Sequence, residues 1–503
     1  MTETGEAQHV IRARREKLRQ LRELGVEPYC YRYEPNSTAA AAIQAFEAAG
    51  DDGVETRLAG RLRSFRPHGK TSFGHLEDRS GKIQIYFRAD VLGEAGYELV
   101  KLLDLGDWVG VEGALFRTRT GEITVRADTV QLLAKTVRPL PYGKEETDEG
   151  GDTVVHGGFA DVESRYRQRY ADLAVNPEVR DLFLTRSRVV QEIQRFLDAR
   201  GFLPVETPIL QPIYGGATAN PFKTYHRALD TELYLRIADE LYLKRLIVGG
   251  LERVYEIGKV FRNEGIDRTH NPEFSMLELY QAYADYGDMM DLTESLVHEV
   301  VVRVSGSSRV VYQGEEIDFE PPWPRLAWYE ALERHGDVRR SELQGGALRE
   351  AALSAGVEGA DDKGRAALLD GLFKARVEEH LRGPLIIYDY PVELSPLAKH
   401  KRDGDKELTE RFEVFVAGHE IANAFSELND PLEQRERFEA QARMREEEGW
   451  EEAHQIDDDY ISALEYGLPP TGGMGLGIDR LVMLLTGRAS IREVILFPTL
   501  RPE

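Results

Sequence analysis

The sequence predicts an α+β protein in two parts: a small closed barrel of short strands, then a larger domain of mainly antiparallel sheet with flanking helices. Three observations carry that prediction. Between residues 57 and 132 apolar and polar residues alternate in short runs cut by turn signals, which fits about five strands in about 80 residues. From residue 159 helix-like and strand-like runs alternate, opening with helices. A charged, glycine-rich stretch, residues 143–158, separates the two parts and reads as a linker.

Composition narrows the class. A chain of 503 residues exceeds a single ordinary domain and can bury ample core, and its 42% apolar and 30% charged residues are those of a globular protein. No run of about 18 apolar residues occurs, so no membrane span is expected, and residues 1–10 lack the apolar core of a leader. Cys30 is the single cysteine, which rules out an internal disulfide and disfavours a zinc–thiolate site. A cytoplasmic enzyme is the expectation. The net charge of −24 is unevenly spread: residues 1–140 hold 21 Lys and Arg against 20 Asp and Glu, so the excess acid lies beyond them. The first part is the electrostatically plausible place for RNA.

The elements follow in order. Residues 1–50 read as a helical extension. Arg12, Arg14, Arg15, Lys17, Arg19 and Arg22 line a helix whose Ile11, Leu18, Leu21 and Leu24 turn inward, giving it a supporting role. Residues 51–142 hold strands at 58–65, 72–77, 82–87, 108–116 and 123–132, with a helix at 96–103, the pattern of an OB-type barrel. In residues 159–503, a helix at 180–200 precedes a hairpin of strands at 253–264 and 273–280. Strand parity puts Arg262 and Glu264 on one face, and Phe274, Met276, Glu278 and Tyr280 on one face of the return strand. Residues 321–383 read as an acidic helical insertion, and 461–466 and 481–486 as helices.

Two segments carry phosphate chemistry. Phe261-Arg262-Asn263-Glu264 is followed, after a short loop, by His270-Asn271-Pro272-Glu273-Phe274. Near the C-terminus, Gly473-Met474-Gly475-Leu476-Gly477-Ile478-Asp479-Arg480 brings a second arginine beside closely spaced glycines. Arg forks onto phosphate oxygens, and an aromatic can cover a base. The glycine spacing does not fit a dinucleotide-binding loop, and no P-loop occurs.

These segments resemble the second and third signature motifs of class II aminoacyl-tRNA synthetases. From about residue 11 to 498 the chain is similar to the bacterial lysyl-tRNA synthetases of class IIb. The resemblance implies an ATP site built from Arg262, Glu264, His270, Asn271, Phe274, Gly477 and Arg480. In it Arg262 contacts the α-phosphate and the amino-acid carboxylate, His270 and Arg480 the terminal phosphates, and Phe274 stacks on adenine opposite Arg480. Arg262, His270 and Arg480 are its catalytic groups. Glu413 and Glu420 match the carboxylates that carry Mg2+ with ATP, and no organic cofactor is implied. Parity separates Glu420 from Asn423 and Glu427, so a bulge or twist is needed if all face one pocket.

The segment Ile421-Ala422-Asn423-Ala424-Phe425-Ser426-Glu427 resembles the lysine-specific part of the family. Glu427 and Tyr280 then receive the ε-ammonium, Asn423 and Phe425 line the channel, and Glu240, Glu278 and the Gly216 carbonyl hold the α-ammonium, with Arg262 on the carboxylate. Residues 420–427 offer only acid and amide, which suits lysine and not aspartate. Asp239 replaces a Pro common in the family. On the barrel, Arg66, Phe73 and Gln84 match positions that read a central uridine of the anticodon. Residues 196–208 resemble the first motif, at a two-fold interface. The implied protein is a homodimeric ligase acting on L-lysine, ATP and tRNA(Lys), with neither DNA nor membrane as partner. Two alternatives were weighed. A ligase that modifies proteins would lack the barrel, and a non-catalytic RNA-binding relative would lack the ATP residues.

Overall fold

The computed structural model describes residues 5–147, 153–156, 158–447 and 455–502. The chain forms two compact units, Met1–Asp161 and Val162–Glu503.

In the first unit, strands Glu55–His68, Thr71–Asp78, Gly81–Arg88, Trp108–Arg117 and Ile123–Ala134 close into a barrel, with the fifth strand between the third and fourth. Alternation sends Leu58, Leu62, Leu76, Ile83, Ile85, Phe87, Val109, Val111 and Val125 inside, where they fill a barrel of this size. Helix Ala89–Leu102 links the third and fourth strands, longer at its start than the sequence predicts. Helix Gly5–Glu23 is tied down by its own cations. Arg14 donates to the carbonyls of Thr136 (3.1 Å) and Leu105 (3.0 Å), and Lys17 pairs with Asp104 at 2.7 Å. Within the expected linker, Lys144–Thr147 pairs with Thr153–His156 as a short hairpin, while residues 148–152 and 157 lie outside the described residues.

The second unit is organised by an eight-stranded sheet. Its order is Arg325–Ala327, Leu385–Pro391, Leu408–Val416, His419–Ser426, Thr471–Gly477, Glu273–Ala282, Arg253–Phe261, Leu203–Pro204. All pairs are antiparallel except those at the two edges. This is the expected α+β architecture, with two differences. The strand carrying Arg262 and Glu264 ends at Phe261, so both residues belong to the following loop rather than to one strand face. Arg325–Ala327 pairs within the sheet, so the helical excursion begins only at Trp328, later than the predicted insertion.

Alternation divides the sheet into a packing face and a working face. Leu277, Leu279, Phe412, Val414, Ala422, Ala424, Met474 and Leu476 all point to one side. There they pack with helices Pro177–Asp198, Tyr286–Ser305 and Ile478–Thr486. Each large aliphatic side chain so buried contributes about 1.5–3 kcal/mol. The long helix Tyr286–Ser305 is well specified: Asp285 and Asp288 form a capping box, and Gly306 ends it in the left-handed conformation. On the other face, one end is covered by the helices of the excursion, around Trp328, Phe373 and Phe415. The opposite end is covered by helices Glu240–Val248 and Asp458–Glu465, around Tyr280, Phe425 and Tyr460. No described helix is long and apolar enough to cross a membrane.

Candidate active site

Between those two apolar covers the working face carries polar residues in two straight rows. Glu278, Gly475, Asn423 and Glu413 pair across four strands, and Tyr280, Gly473, Phe425 and Arg411 form the row beside them. After Thr471, the strand Thr471–Gly477 supplies only glycines to this face, while its large residues, Met474 and Leu476, serve the core. A Cβ placed on Gly473 would lie 2.0 Å from Glu427 Oε1 and 2.4 Å from the Tyr280 ring. Only glycine fits there.

Glu420 joins this face through the bulge that parity required. The register slips between Val414 and Phe415, pairing Val414 with Ala422 but Phe415 with Glu420, which leaves Ile421 as the extra residue. The preceding two-residue turn is Ala417-Gly418, both with positive φ. Arg411 donates to Asn423 Oδ1 (2.9 Å) and Glu413 Oε1 (2.5 Å), and Tyr390 donates to Glu413 Oε2 (2.8 Å). Burial and the Glu420 charge nevertheless push the Glu413 carboxyl up to about 7. Glu378, brought in by the excursion, is likewise pushed up to about 7 by burial, with Glu413 and Glu420 adding to the effect. Buried carboxylates crowded in this way form a site short of cations.

The phosphate-binding candidates converge at the open side of the face. Arg480 Nη1 donates to the Glu420 carbonyl at 2.6 Å, and its Nη2 lies 3.5 Å from His270 Nε2. Asp267 accepts from His270 Nδ1 at 2.8 Å and from the backbone N–H of His270 at 2.8 Å, which orients the ring. Asp479 anchors the helix that presents Arg480: it accepts from the Ser275 N–H at 2.7 Å and pairs with Arg186. Gly477 lies directly before that helix. Arg262 is half-buried, its guanidinium 5.2 Å from the centre of the Phe274 ring. Burial pulls its pKa down against the opposing carboxylates Glu264, Glu420 and Glu278. Glu264 is exposed in the loop. Asn271 is buried, and its amide donates to the Glu273 carbonyl (2.6 Å) and accepts from the Thr499 N–H (3.3 Å), so its polar atoms face the protein.

The amino-acid end of the site is more charged than residues 420–427 suggest. Glu240, Glu278 and Glu427 are all buried. Tyr280 donates to Glu278 Oε2 at 3.2 Å. Gly216, with φ +87, lets the chain pass close to Glu240: a Cβ there would approach Glu240 Cβ to 3.1 Å. Burial, followed by the charges of Asp239 and Glu240, raises the Glu278 carboxyl well above the usual range. Asp239 is pushed up to about 6, mainly by burial. Residues 420–427 bring only acid and amide, as expected, but the floor also receives Lys244 from another segment. This fully buried lysine, one helical turn beyond Glu240, places its ammonium on both Glu240 and Glu427. Glu240 and Glu427 outnumber that ammonium two to one, and burial raises both carboxyls against its pull, Glu427 well above the usual range, so a further cation would be welcome there.

On the barrel, Phe73 is not core. It sits half-buried on the outer surface, stacked on Tyr86 with ring centres 4.4 Å apart, and Phe116 follows at 6.1 Å from Tyr86. Arg66 is exposed and pairs in register with Phe73. Gln84 donates to Glu122 (2.6 Å) and accepts from Thr124 (2.8 Å). Sequence reasoning missed Lys244, Arg411, Glu378 and Tyr86. Lys244 alone left a signal: it shares the buried helical face of Glu240, Leu243 and Ile247, at spacings of three, four and seven.

Comparison with known proteins agrees with this geometry. Residues 161–501 match the family of class II tRNA synthetases (D, K and N), and residues 56–133 match an OB-fold nucleic-acid-binding domain family. The protein is thus a class II tRNA synthetase carrying an anticodon-type OB domain. Among its relatives, the lysine–tRNA ligase of Moorella thermoacetica is 53% identical over 98% of both chains. That of Pelotomaculum thermopropionicum is 52% identical over 98% of this chain and 95% of the relative. The ligase of Carboxydothermus hydrogenoformans is 51% identical over 99% of both. The chain belongs to the lysine–tRNA ligase family.

Proposed function

We propose that this chain activates L-lysine with ATP, forming lysyl-adenylate and pyrophosphate, and then transfers lysine to the 3′ end of tRNA(Lys). The observation that carries the reading is the pairing of two opposed needs on one sheet face. Buried carboxylates gather at one end, where a doubly cationic amino acid would lie. Arg262, His270 and Arg480 gather at the other, where ATP would lie. The lysine carboxylate attacks the α-phosphorus in line, the bond to the β-phosphate oxygen breaks, and pyrophosphate leaves. Arg262 holds the attacking carboxylate and the α-phosphate together, while His270 and Arg480 take the charge that builds on the leaving group. The terminal ribose hydroxyl of tRNA then attacks the adenylate carbonyl and AMP departs. No protein nucleophile takes part.

The crowded carboxylates Glu413 and Glu420 fit Mg2+. Mg2+ binds through one or two carboxylates completed by phosphates and water, and the Glu413 carboxyl, pushed up by burial and by the Glu420 charge, gains from a cation placed between the two. Bound there, the ion would screen the phosphate oxygens. Arg66, Phe73 and Gln84, with Tyr86 extending the aromatic surface, would read and stack an anticodon base. A homodimer is supported by Leu203 in the first motif and Ile209 and Leu210 just after it, each more than 40% exposed in the single chain. The reading places the protein in the cytoplasm.

Amino-acid-dependent ATP–pyrophosphate exchange, run across all twenty amino acids, tests the proposal. Lysine alone should give a strong signal. Exchange with aspartate or asparagine and none with lysine would overturn it.

A further inference from the structure

The lysine pocket holds a charge that the proposed reaction does not use. Lys244 Nζ lies 2.5 Å from Glu240 Oε1 and is also paired with Glu427 Oε2. Each carboxylate therefore commits one oxygen to Lys244 and turns the other away. Glu240 Oε2 faces Gly216, 3.7 Å from where a Cβ would stand. Glu427 Oε1 lies against Gly473 and Tyr280; both Glu427 oxygens are buried without a hydrogen bond, and Lys244 meets Oε2 as an ion pair alone, so Oε1 has no cation of its own. A buried carboxylate oxygen with no donor is costly until one arrives. On the lysine reading proposed above, these two outward oxygens are where the α- and ε-ammonium groups of the substrate land.

We propose that Lys244 is a positioning and specificity-determining residue, whose ammonium remains in the substrate complex as a fixed spacer between Glu240 and Glu427. It thereby sets the distance between the two oxygens that read the substrate's two ammonium groups. The spacer is held on every side. Lys244 shares a helical face with Glu240, four residues before it, and its ammonium lies 5.3 Å from the Phe425 ring and 5.9 Å from that of Tyr280. Burial opposes its charge, but Glu240 and Glu427 outweigh burial and raise its pKa, so it stays protonated. Glutamate side chains left to themselves could shift to follow a shorter substrate. Clamped on a common cation, they cannot close on ornithine, which is one methylene short.

Removing the cation changes the protonation of the site as well as its shape. Glu240 and Glu427 would then face each other within a ring of Glu278, Tyr280, Tyr460 and Asp239, with Arg411 the remaining cation acting on Glu240. Burial already raises both carboxyls, Glu427 well above the usual range, and Lys244 opposes that rise, so without it they would hold a proton to still higher pH.

The test is Lys244→Met in the full chain, read by lysine- and ornithine-dependent exchange from pH 6 to 8.5, with the parent assayed in every arm. Lysine kcat/KM should fall at least about 30-fold at pH 7 through KM, with ATP KM within about twofold. The alkaline-going rise of its pH profile should move to higher pH than the parent's. The parent's preference for lysine over ornithine, about 10- to 200-fold for one methylene, should shrink several-fold. A folded variant that keeps the parental pH profile and lysine-to-ornithine ratio overturns the proposal. So does a loss confined to kcat, the mark of a merely structural role. Should the variant not fold, a crystal structure of the parent with lysine decides. Lys244 still bridging both carboxylates upholds the spacer, and a substrate ammonium in its place on Glu427 Oε2 overturns it. Parental exchange with lysine separates any of these results from failure of the lysine reading itself.

Discussion

Replacing Glu427 with Gln removes the charge at the centre of the pocket with almost no change in shape. Breaking a buried charge pair costs about 2–5 kcal/mol, most when a charge is left stranded. Here the resident ammonium of Lys244 is not stranded, because Glu240 still holds it at 2.5 Å. The amide oxygen of Gln can still accept from the substrate where Glu427 Oε1 does. Both points exclude the upper end of the range, leaving about 2–4 kcal/mol, or roughly 30- to 700-fold in lysine kcat/KM. The ATP groups Arg262, His270 and Arg480 do not touch Glu427, so ATP KM should move by less than about twofold. Lysine-dependent exchange at varied lysine and at varied ATP separates the two. The melting temperature should hold or rise, since an unpartnered buried oxygen is replaced by a neutral amide. A folded Gln variant with lysine kcat/KM within about threefold of the parent would refute the reasoning that Glu427 reads the side chain.

Other outcomes follow from the same geometry. Phe73→Ala should leave lysine-dependent exchange intact while weakening tRNA charging by about 1–3 kcal/mol, the worth of one stacked base; equal loss in both reactions would show a fault of folding instead. Gly473→Ala puts a methyl group into the space of Glu427 Oε1 and Tyr280. Overpacking of this kind costs about 1–3 kcal/mol, so lysine KM should rise while ATP KM holds, and an unchanged lysine KM would contradict the close fit. Stability should fall with rising pH in the ligand-free protein. Glu413 and Glu378 are held at about 7 and Asp239 at about 6, against about 4 in the unfolded chain, so from pH about 4.5 to 7 the native state holds the extra protons. The melting temperature at pH 5.5 should exceed that at 7.5, with a smaller difference in Glu413→Gln; a ligand-free protein that melts higher at 7.5 would reverse the sign.

Parity made much of the working face readable before any coordinates. Leu277 and Leu279 alternate with Glu278 and Tyr280, and Met474 and Leu476 with Gly473, Gly475 and Gly477, so each strand declares its two faces. The bulge at Ile421 was readable as a conflict, since Glu420 could not otherwise join Asn423. What stayed hidden depends on segments far apart in the chain. Nothing local to Lys244 says that Glu427 will meet it, and nothing in an acidic helical stretch marks Glu378 as facing Glu413. The end of the first hairpin strand at Phe261 was also missed. There, long-range backbone bonds from Arg262 to Pro272 and from Asn263 to Asn220 replace the ladder.

The extra residue at Ile421 works as a phase shift in a two-beat pattern. Upstream of it, Glu420 stands beside Arg480; downstream, Asn423 and Phe425 stand in the two rows of the working face; and the shift keeps them all on the same side of the sheet. The hairpin can therefore absorb many changes of side chain so long as Ile421 keeps its bulged place. Deleting Ile421 would restore a regular ladder, probing alignment rather than chemistry. Glu420 would then stand two positions before Asn423 and keep the working face, still opposite Phe415, whereas a regular ladder running through Ile421 would turn Glu420 into the helical core and part it from Glu413.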